Sequence, residues 1–192
     1  MKHFNQLTDL PTLNLYHELE TLLNNKTISW YNNGLPEQIC INTVNNDPSN
    51  IYLGRGSLIW DWDNSYTDEN GEFHLKKRET IFDEKDFDTL CTQFIETGFE
   101  QAYRALEKKF ILGRVRIMNL APKTCLTWHN DSSTRIHYPM KTQEGCYMVI
   151  QDEIKHLPQN TWWHTDTLVN HTVFNGSKEN RFHLVAAILG EK

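Results

Sequence analysis

Apolar positions in the first 110 residues fall at helical spacing in three places. Leu15, Leu19, Leu22 and Leu23, following Pro11, share one face and predict a helix over residues 11–24. Phe87, Leu90, Cys91, Phe94 and Ile95 predict a second helix, and Phe99, Ala102, Tyr103 and Leu106 a third, with the break near Gly98. Residues 25–57 carry Asn, Gly and Pro with little period, and Ile51-Tyr52-Leu53 is the short apolar run that predicts a strand there. Another strand is expected over residues 57–62. The acidic, polar stretch 63–80, with its turn Glu69-Asn70-Gly71, is expected to be a surface loop.

After Gly113 the pattern changes. Short apolar runs at 114–120, 136–140, 146–150, 161–163, 172–174 and 181–189 recur with turn residues between them and predict strands. Strands this short and numerous do not fit βαβ units and point to a β-sandwich or barrel. Helices first and an antiparallel β-core second make the expected class α+β. With 192 residues, a single domain is expected.

Composition narrows the function. Hydrophobic residues at 39% supply enough material for a core, which excludes wholesale disorder. The formal charge of -6 repels phosphate backbones, so no nucleic-acid partner is expected. No stretch approaches the ~20 apolar residues of a membrane span, and the polar N-terminus shows no signal peptide, so no membrane partner is expected either. Cys40, Cys91, Cys125 and Cys146 form no C-x-x-C pair, which fits a reduced, cytoplasmic chain; Cys125 and Cys146 are expected to be buried. Nine histidines carry the chemical potential.

His129 and Asp131 lie two residues apart, so on extended backbone both side chains project to one face and offer a metal an imidazole and a carboxylate. A site with two His and one carboxylate needs a third ligand from a distant strand. His171, 42 positions on, supplies it, followed by the turn Asn175-Gly176. Ten positions later, Arg181 opens the last apolar run. A hairpin would set His171 and Arg181 on neighbouring strands, with the guanidinium in the metal's cavity as a fork for a carboxylate. His164-Thr165-Asp166 is a second H-x-D without a comparable downstream partner, and His164 or Asp166 remains the alternative for one member of the triad.

The run PKTCLTWHNDSSTRIHYP at 122–139, together with WWHTDTLVNHTVFNGSKENRFHLV further on, resembles the aspartyl/asparaginyl β-hydroxylase-like branch of the Fe(II)/2-oxoglutarate-dependent oxygenases, which includes proline hydroxylases. The resemblance covers roughly residues 112–190. It implies a double-stranded β-helix, a jelly-roll or cupin-like core, with supporting helices. It further implies that His129, Asp131 and His171 bind Fe(II) and that Arg181 pairs with the far carboxylate of 2-oxoglutarate. Arg135 and His137 match an R-x-H and imply contacts to 2-oxoglutarate or to a substrate carboxylate. Where some relatives carry a Ser that helps hold the far carboxylate, this chain has Met118, with Arg116 and Asn119 as neighbours able to compensate.

The implied reaction consumes O2, decarboxylates 2-oxoglutarate to succinate and CO2, and hydroxylates an amino acid, free or within a peptide. Residues 1–110 are then helical support, edge strands and loops, and 111–192 the catalytic core of one oxygenase domain. Trp128, Trp162 and Trp163 flank the ligands and are candidates for keeping the pocket dry. The rival classes are a cupin-type metal enzyme that does not use 2-oxoglutarate and a non-catalytic barrel that binds a carboxylate or a partner. Arg181 argues against the first and the intact triad against the second.

Overall fold

The computed structural model describes residues 2–31 and 37–192. The N-terminal part contains β1 (Phe4–Leu7), α1 (Leu15–Asn24), β2 (Glu37–Cys40), β3 (Asn42–Thr43), β4 (Trp60–Thr67), β5 (Phe73–Lys77), β6 (Thr89–Leu90) and α2 (Gly98–Glu107). The C-terminal part is all strand: β7 (Phe110–Leu120), β8 (Thr124–Cys125), β9 (Thr134–Lys141), β10 (Cys146–Ile150), β11 (Glu153–Lys155), β12 (Trp162–Thr165), β13 (His171–Asn175) and β14 (Arg181–Glu191).

Two antiparallel sheets organise the molecule, one of six strands in the order β1-β12-β9-β14-β7-β2 and one of four in the order β11-β10-β13-β8. Among the described residues no pairing closes either sheet into a barrel. The class is α+β, as expected. No helix among the described residues is long and apolar enough to cross a membrane.

Alternation along the three central strands of the larger sheet explains how the molecule divides. Val115 and Ile117 on β7, Ile136, Tyr138 and Met140 on β9, and Leu184 and Ala186 on β14 belong to one buried cluster with Leu15 and Leu19 of α1 and Phe99, Ala102 and Leu106 of α2. The intervening residues, Arg114, Arg116 and Met118, Arg135 and His137, and Arg181 and Val185, line a cavity instead. Period two therefore assigns one face of the sheet to the helices and the other to polar chemistry. A smaller cluster of Phe4, Leu120, Met148, Ile150, Trp163 and Val173 joins the two sheets beside that cavity.

Several local expectations are corrected. The first helix begins at Leu15, a turn later than Pro11 suggests. No α-helix covers 87–95: Phe87, Leu90 and Cys91 are buried on irregular and extended backbone, and Phe94 on a single 3-10 turn over Thr92–Phe94. The backbone of this segment is paired across the chain instead: β6 pairs with β3, Cys91 N–H donates to Ile41 O, and the buried Asn42 amide donates to Phe87 O while tying the segment to β7 through Gly113 O and Val115 N–H. Ile51-Tyr52-Leu53 is a turn, not a strand. The expected loop 63–80 is mostly the hairpin β4–β5, whose turn is tied by the Asp68 carboxylate accepting from Asn70 N–H and Glu72 N–H. All four cysteines are free, and Cys125 is exposed where burial was expected.

The connection between β13 and β14 also differs from expectation. It is not a hairpin: β13 pairs with β10 and β8, whereas β14 pairs with β7 and β9, so the chain crosses from one sheet to the other. Fully buried Asn175 pins the crossing, donating to the carbonyls of Leu120 (2.9 Å) and Glu179 (2.7 Å). His171 and Arg181 consequently reach the cavity from different sheets.

Candidate active site

His129 and Asp131 lie on the segment between β8 and β9, and His171 opens β13. A backbone bridge joins the two histidines, His129 N–H to His171 O at 3.1 Å and His171 N–H to His129 O at 2.8 Å. Asp131 is fixed by its N–H to Thr167 O at 2.8 Å. The three side chains offer ligand atoms that all lie within 4.8 Å of one another. Nε2 of His129 stands 4.0 Å and Nε2 of His171 3.9 Å from the Asp131 carboxylate.

The tautomers follow from the other ring nitrogens. Nδ1–H of His129 donates to Thr127 O at 2.7 Å, and Nδ1–H of His171 donates to Val169 O at 3.0 Å. Both Nε2 lone pairs are thereby left for a cation, as a carbonyl behind a metal-binding imidazole ensures. Burial lowers the His171 pKa, with the Val169 carbonyl opposing, so the ring favours the neutral, ligating form. Two imidazoles and one carboxylate on one side of an open cavity are the donor set of mononuclear iron sites. The residues present therefore fit that group.

The second H-x-D is placed elsewhere. His164 Nε2 meets Thr134 Oγ1 at 2.8 Å, and Asp166 pairs with His3 at 3.0 Å. Another acidic group, Asp68, Glu72 and His74, belongs to the tip of the β4–β5 hairpin.

Behind the triad is a chain of ion pairs. Arg135 Nε lies 3.0 Å from Asp131 Oδ2, and its Nη2 lies 3.6 Å from Glu84 Oε1. Glu84 in turn accepts from Arg114 Nη2 at 2.8 Å, Nε at 3.1 Å and the backbone N–H at 2.9 Å. Burial alone would push the Glu84 carboxyl up, but the hydrogen bonds and charge of Arg114, with Arg116 nearby, bring it down to about 2. The close approach of Glu84 requires Gly113, because a Cβ there would meet Glu84 Oε2 at 2.8 Å.

Arg181 and His137 are both buried and both line the cavity. Arg181 Nη2 donates to His183 Nδ1 at 3.1 Å, and no carboxylate among the described residues pairs with it. Burial pushes its pKa down to about 10. Among the described residues neither ring nitrogen of His137 has a partner, and burial first, then the Arg181 charge, drives its pKa well below the usual imidazole value. His183 is likewise neutral and packs edge-on to His137, with ring centroids 5.7 Å apart. Asn119 donates to Glu37 at 2.8 Å, while Met118 lines the cavity without a polar group to offer.

The cavity, about 900 Å³, lies between the two sheets and extends under the β4–β5 hairpin. Its aromatic lining is Trp60, Trp62 and Phe82. The expected candidates are elsewhere: Trp162 and Trp163 are in the cores and Trp128 is exposed. Sequence reasoning also missed Glu84 and Gln38 as part of this region, and it places Arg116 there only as a neighbour of Met118 able to help hold the far carboxylate. For Arg116 a signal existed in the strict alternation Arg114-Val115-Arg116-Ile117, which puts both arginines opposite the apolar face.

A family model described as aspartyl/asparaginyl beta-hydroxylase matches residues 41–189. No curated protein matches the chain. Among solved structures, an oxidoreductase of the 2OG-Fe(II) oxygenase family from Burkholderia pseudomallei aligns at 10% identity and a TM-score of 0.52, over 97% of this chain and 84% of its own. IDO from Bacillus thuringiensis aligns at 12% identity and 0.47, over 100% and 92%. AviO1 from Streptomyces viridochromogenes Tue57 aligns at 12% identity and 0.44, over 99% and 91%. The first of these likenesses extends to the fold as a whole.

Proposed function

Because the chain belongs to the aspartyl/asparaginyl β-hydroxylase family, we propose that it is an Fe(II)- and 2-oxoglutarate-dependent dioxygenase that hydroxylates an amino acid, free or in a peptide, releasing succinate and CO2. The observation that carries this reading is one cavity that brings together the His129–Asp131–His171 cluster and Arg181, a buried guanidinium without a carboxylate partner among the described residues. We read the two facing sheets as an opened double-stranded β-helix within one oxygenase domain over residues 1–192, with 111–192 as its catalytic core.

An iron ion bound by the triad supplies the redox chemistry that couples O2 to 2-oxoglutarate decarboxylation and substrate hydroxylation. The protein's own contribution is positional. The carbonyls of Thr127 and Val169 hold the two imidazoles in the ligating tautomer, and Arg135 orients the Asp131 carboxylate. Arg181 receives the far carboxylate of 2-oxoglutarate, which supplies the anion its burial otherwise lacks. His137, neutral and unpartnered, donates a ring N–H to a co-substrate oxygen, with Arg135 bordering the same space. Trp60 and Trp62 form the cover that limits water around the reacting groups.

The test is Fe(II)-dependent succinate formation from 2-oxoglutarate, screened with each of the twenty amino acids and with short peptides. Stimulation by at least one substrate, lost in His129→Ala, is expected. Succinate formation indifferent to Fe(II) or to that substitution overturns the reading.

A further inference from the structure

Arg116 is a second buried guanidinium in the same cavity, and the chemistry assigned above does not use it. It projects from β7 on the cavity face, opposite Cys40 of β2 and Val185 of β14. Its Nη1 donates to Gln38 Oε1 at 2.9 Å and approaches Gly56 O at 3.5 Å. Its buried Nε has no partner, and its Nη2 makes no hydrogen bond among the described residues. Nε–H and Nη2–H lie on one edge of the planar group, the edge that grips a carboxylate with two parallel bonds. Among the described residues no acid lies within ion-pair distance: Glu84 acts on Arg116 only from farther off, being paired with Arg114 and Arg135, and Asp131 is paired with Arg135.

Gln38 completes the environment. Its Oε1 is occupied by Arg116 Nη1 and by Gly56 N–H at 3.1 Å, so its amide nitrogen is left as a donor beside the guanidinium. The residue is buried and lines the cavity. Trp60 and Trp62, both more than one-third exposed, line the cavity as well.

This position is distinct from the Arg181 end. Arg181 faces Leu120 in the β7–β14 register, four residues along β7 from Arg116, which separates the two backbones by about 14 Å. The charges that act most on the Arg116 guanidinium are those of Arg114, Glu84 and Arg135, and Arg181 is not among them. Arg116 and His137 instead flank Val185 in one cross-strand row, two strand spacings or about 10 Å apart. With one carboxylate of 2-oxoglutarate assigned to Arg181 and the other to the metal, the co-substrate does not call on Arg116, which this placement frees from the role of second holder of the far carboxylate expected of a neighbour of Met118.

We infer that Arg116 and Gln38 form a substrate subsite that receives a carboxylate, and that the substrate is an organic acid whose apolar or aromatic body lies against Trp60 and Trp62. This deepens the hydroxylase reading and rests on it for the identity of the molecule as substrate. An acid held here lies a short molecule's length from the His137 end of the cavity, so hydroxylation falls on the part of the substrate remote from this carboxylate.

The test uses anaerobic protein loaded with Fe(II) and saturating 2-oxoglutarate, titrated calorimetrically with phenylacetate and with phenylacetamide. The acid is expected to bind at least about tenfold more tightly than the amide, the difference made by one charge-assisted contact. Arg116→Met is expected to abolish that preference. Arg116→Lys keeps the charge without the two-donor edge and guards against a folding defect; it is expected to lose most of the preference. Equal binding of acid and amide, no saturable binding of the acid, or full preference in either variant overturns the subsite. The metal-to-ligand charge-transfer band, followed in the same samples, separates the two ideas. A normal band with no acid preference removes the subsite and leaves the hydroxylase reading intact. An acid preference without the band leaves an anion site and removes the hydroxylase reading.

Discussion

Glu84→Gln removes one negative charge from the middle of the ion-pair chain and nearly preserves its shape. Glu84 is 11% exposed, and its partners Arg114 and Arg135 are 7% and 5% exposed, so solvent screens little of the interaction. Arg135 retains Asp131, but Arg114 is left with neutral acceptors alone, the carbonyls of Gly54 and Gly56 and the one amide oxygen of the substituted side chain. The fall of the Glu84 pKa from 4.5 to about 2 corresponds to about 3 kcal/mol of native-state stabilisation of the charged form. That is at the lower end of the cost of breaking a buried pair by removing one partner, about 3–5 kcal/mol. The folded protein binds this proton more weakly than the unfolded chain does, so the contribution is fully present above pH 4.5 and is lost as the pH falls towards about 2. Urea unfolding of wild type and variant across this range is the assay, because other carboxylates titrate in both proteins and cancel in the difference. A gap of about 3 kcal/mol near neutral pH, shrinking in acid, is expected. A gap below about 1 kcal/mol near neutrality, or one that does not change with pH, refutes the reasoning.

Other perturbations separate the two faces of the large sheet and the two ends of the cavity. Arg181→Met is expected to weaken 2-oxoglutarate binding by about 100-fold in an anaerobic titration while Fe(II) binding persists, since it removes a buried two-donor contact to a carboxylate. Ile117→Ala, on the helix side of β7, is expected to cost about 2–4 kcal/mol in urea unfolding with 2-oxoglutarate affinity unchanged. Trp62→Ala opens the cover and is expected to raise the 2-oxoglutarate consumed per hydroxylated product, measured as the ratio of succinate to product.

The triad was legible because it depends on local spacing and chain order. His129 and Asp131 sit two apart on one segment, and His171 follows on a later strand that bridges back to it. The strands from β7 onward were legible for a similar reason, since alternation at Arg114-Val115-Arg116-Ile117 or Arg181-Phe182-His183-Leu184 reports a sheet with two different faces. What the sequence hid depended on tertiary partners. The apolar spacing from Phe87 to Phe94 correctly marks burial, yet β3 and the Asn42 amide, 45 residues before Phe87, pair with the backbone there, and the segment forms no α-helix. Asn175-Gly176 reads as a hairpin turn, but the Asn175 side chain anchors a crossing between sheets. Neither Glu84 nor Gln38 lies in a motif, and each reaches the site only through contacts of high sequence separation. Trp60 and Trp62 were visible as an apolar run, with nothing local to say that their hairpin folds over the cavity.

The central claim is that His129, Asp131 and His171 hold an iron ion to which 2-oxoglutarate binds. Anaerobic titration of the protein with Fe(II) and 2-oxoglutarate, followed by visible absorption, tests it most directly. A metal-to-ligand charge-transfer band that saturates with 2-oxoglutarate in the wild type and is absent in His171→Ala is the predicted result. No band in the wild type, or an unchanged band in His171→Ala, contradicts the account.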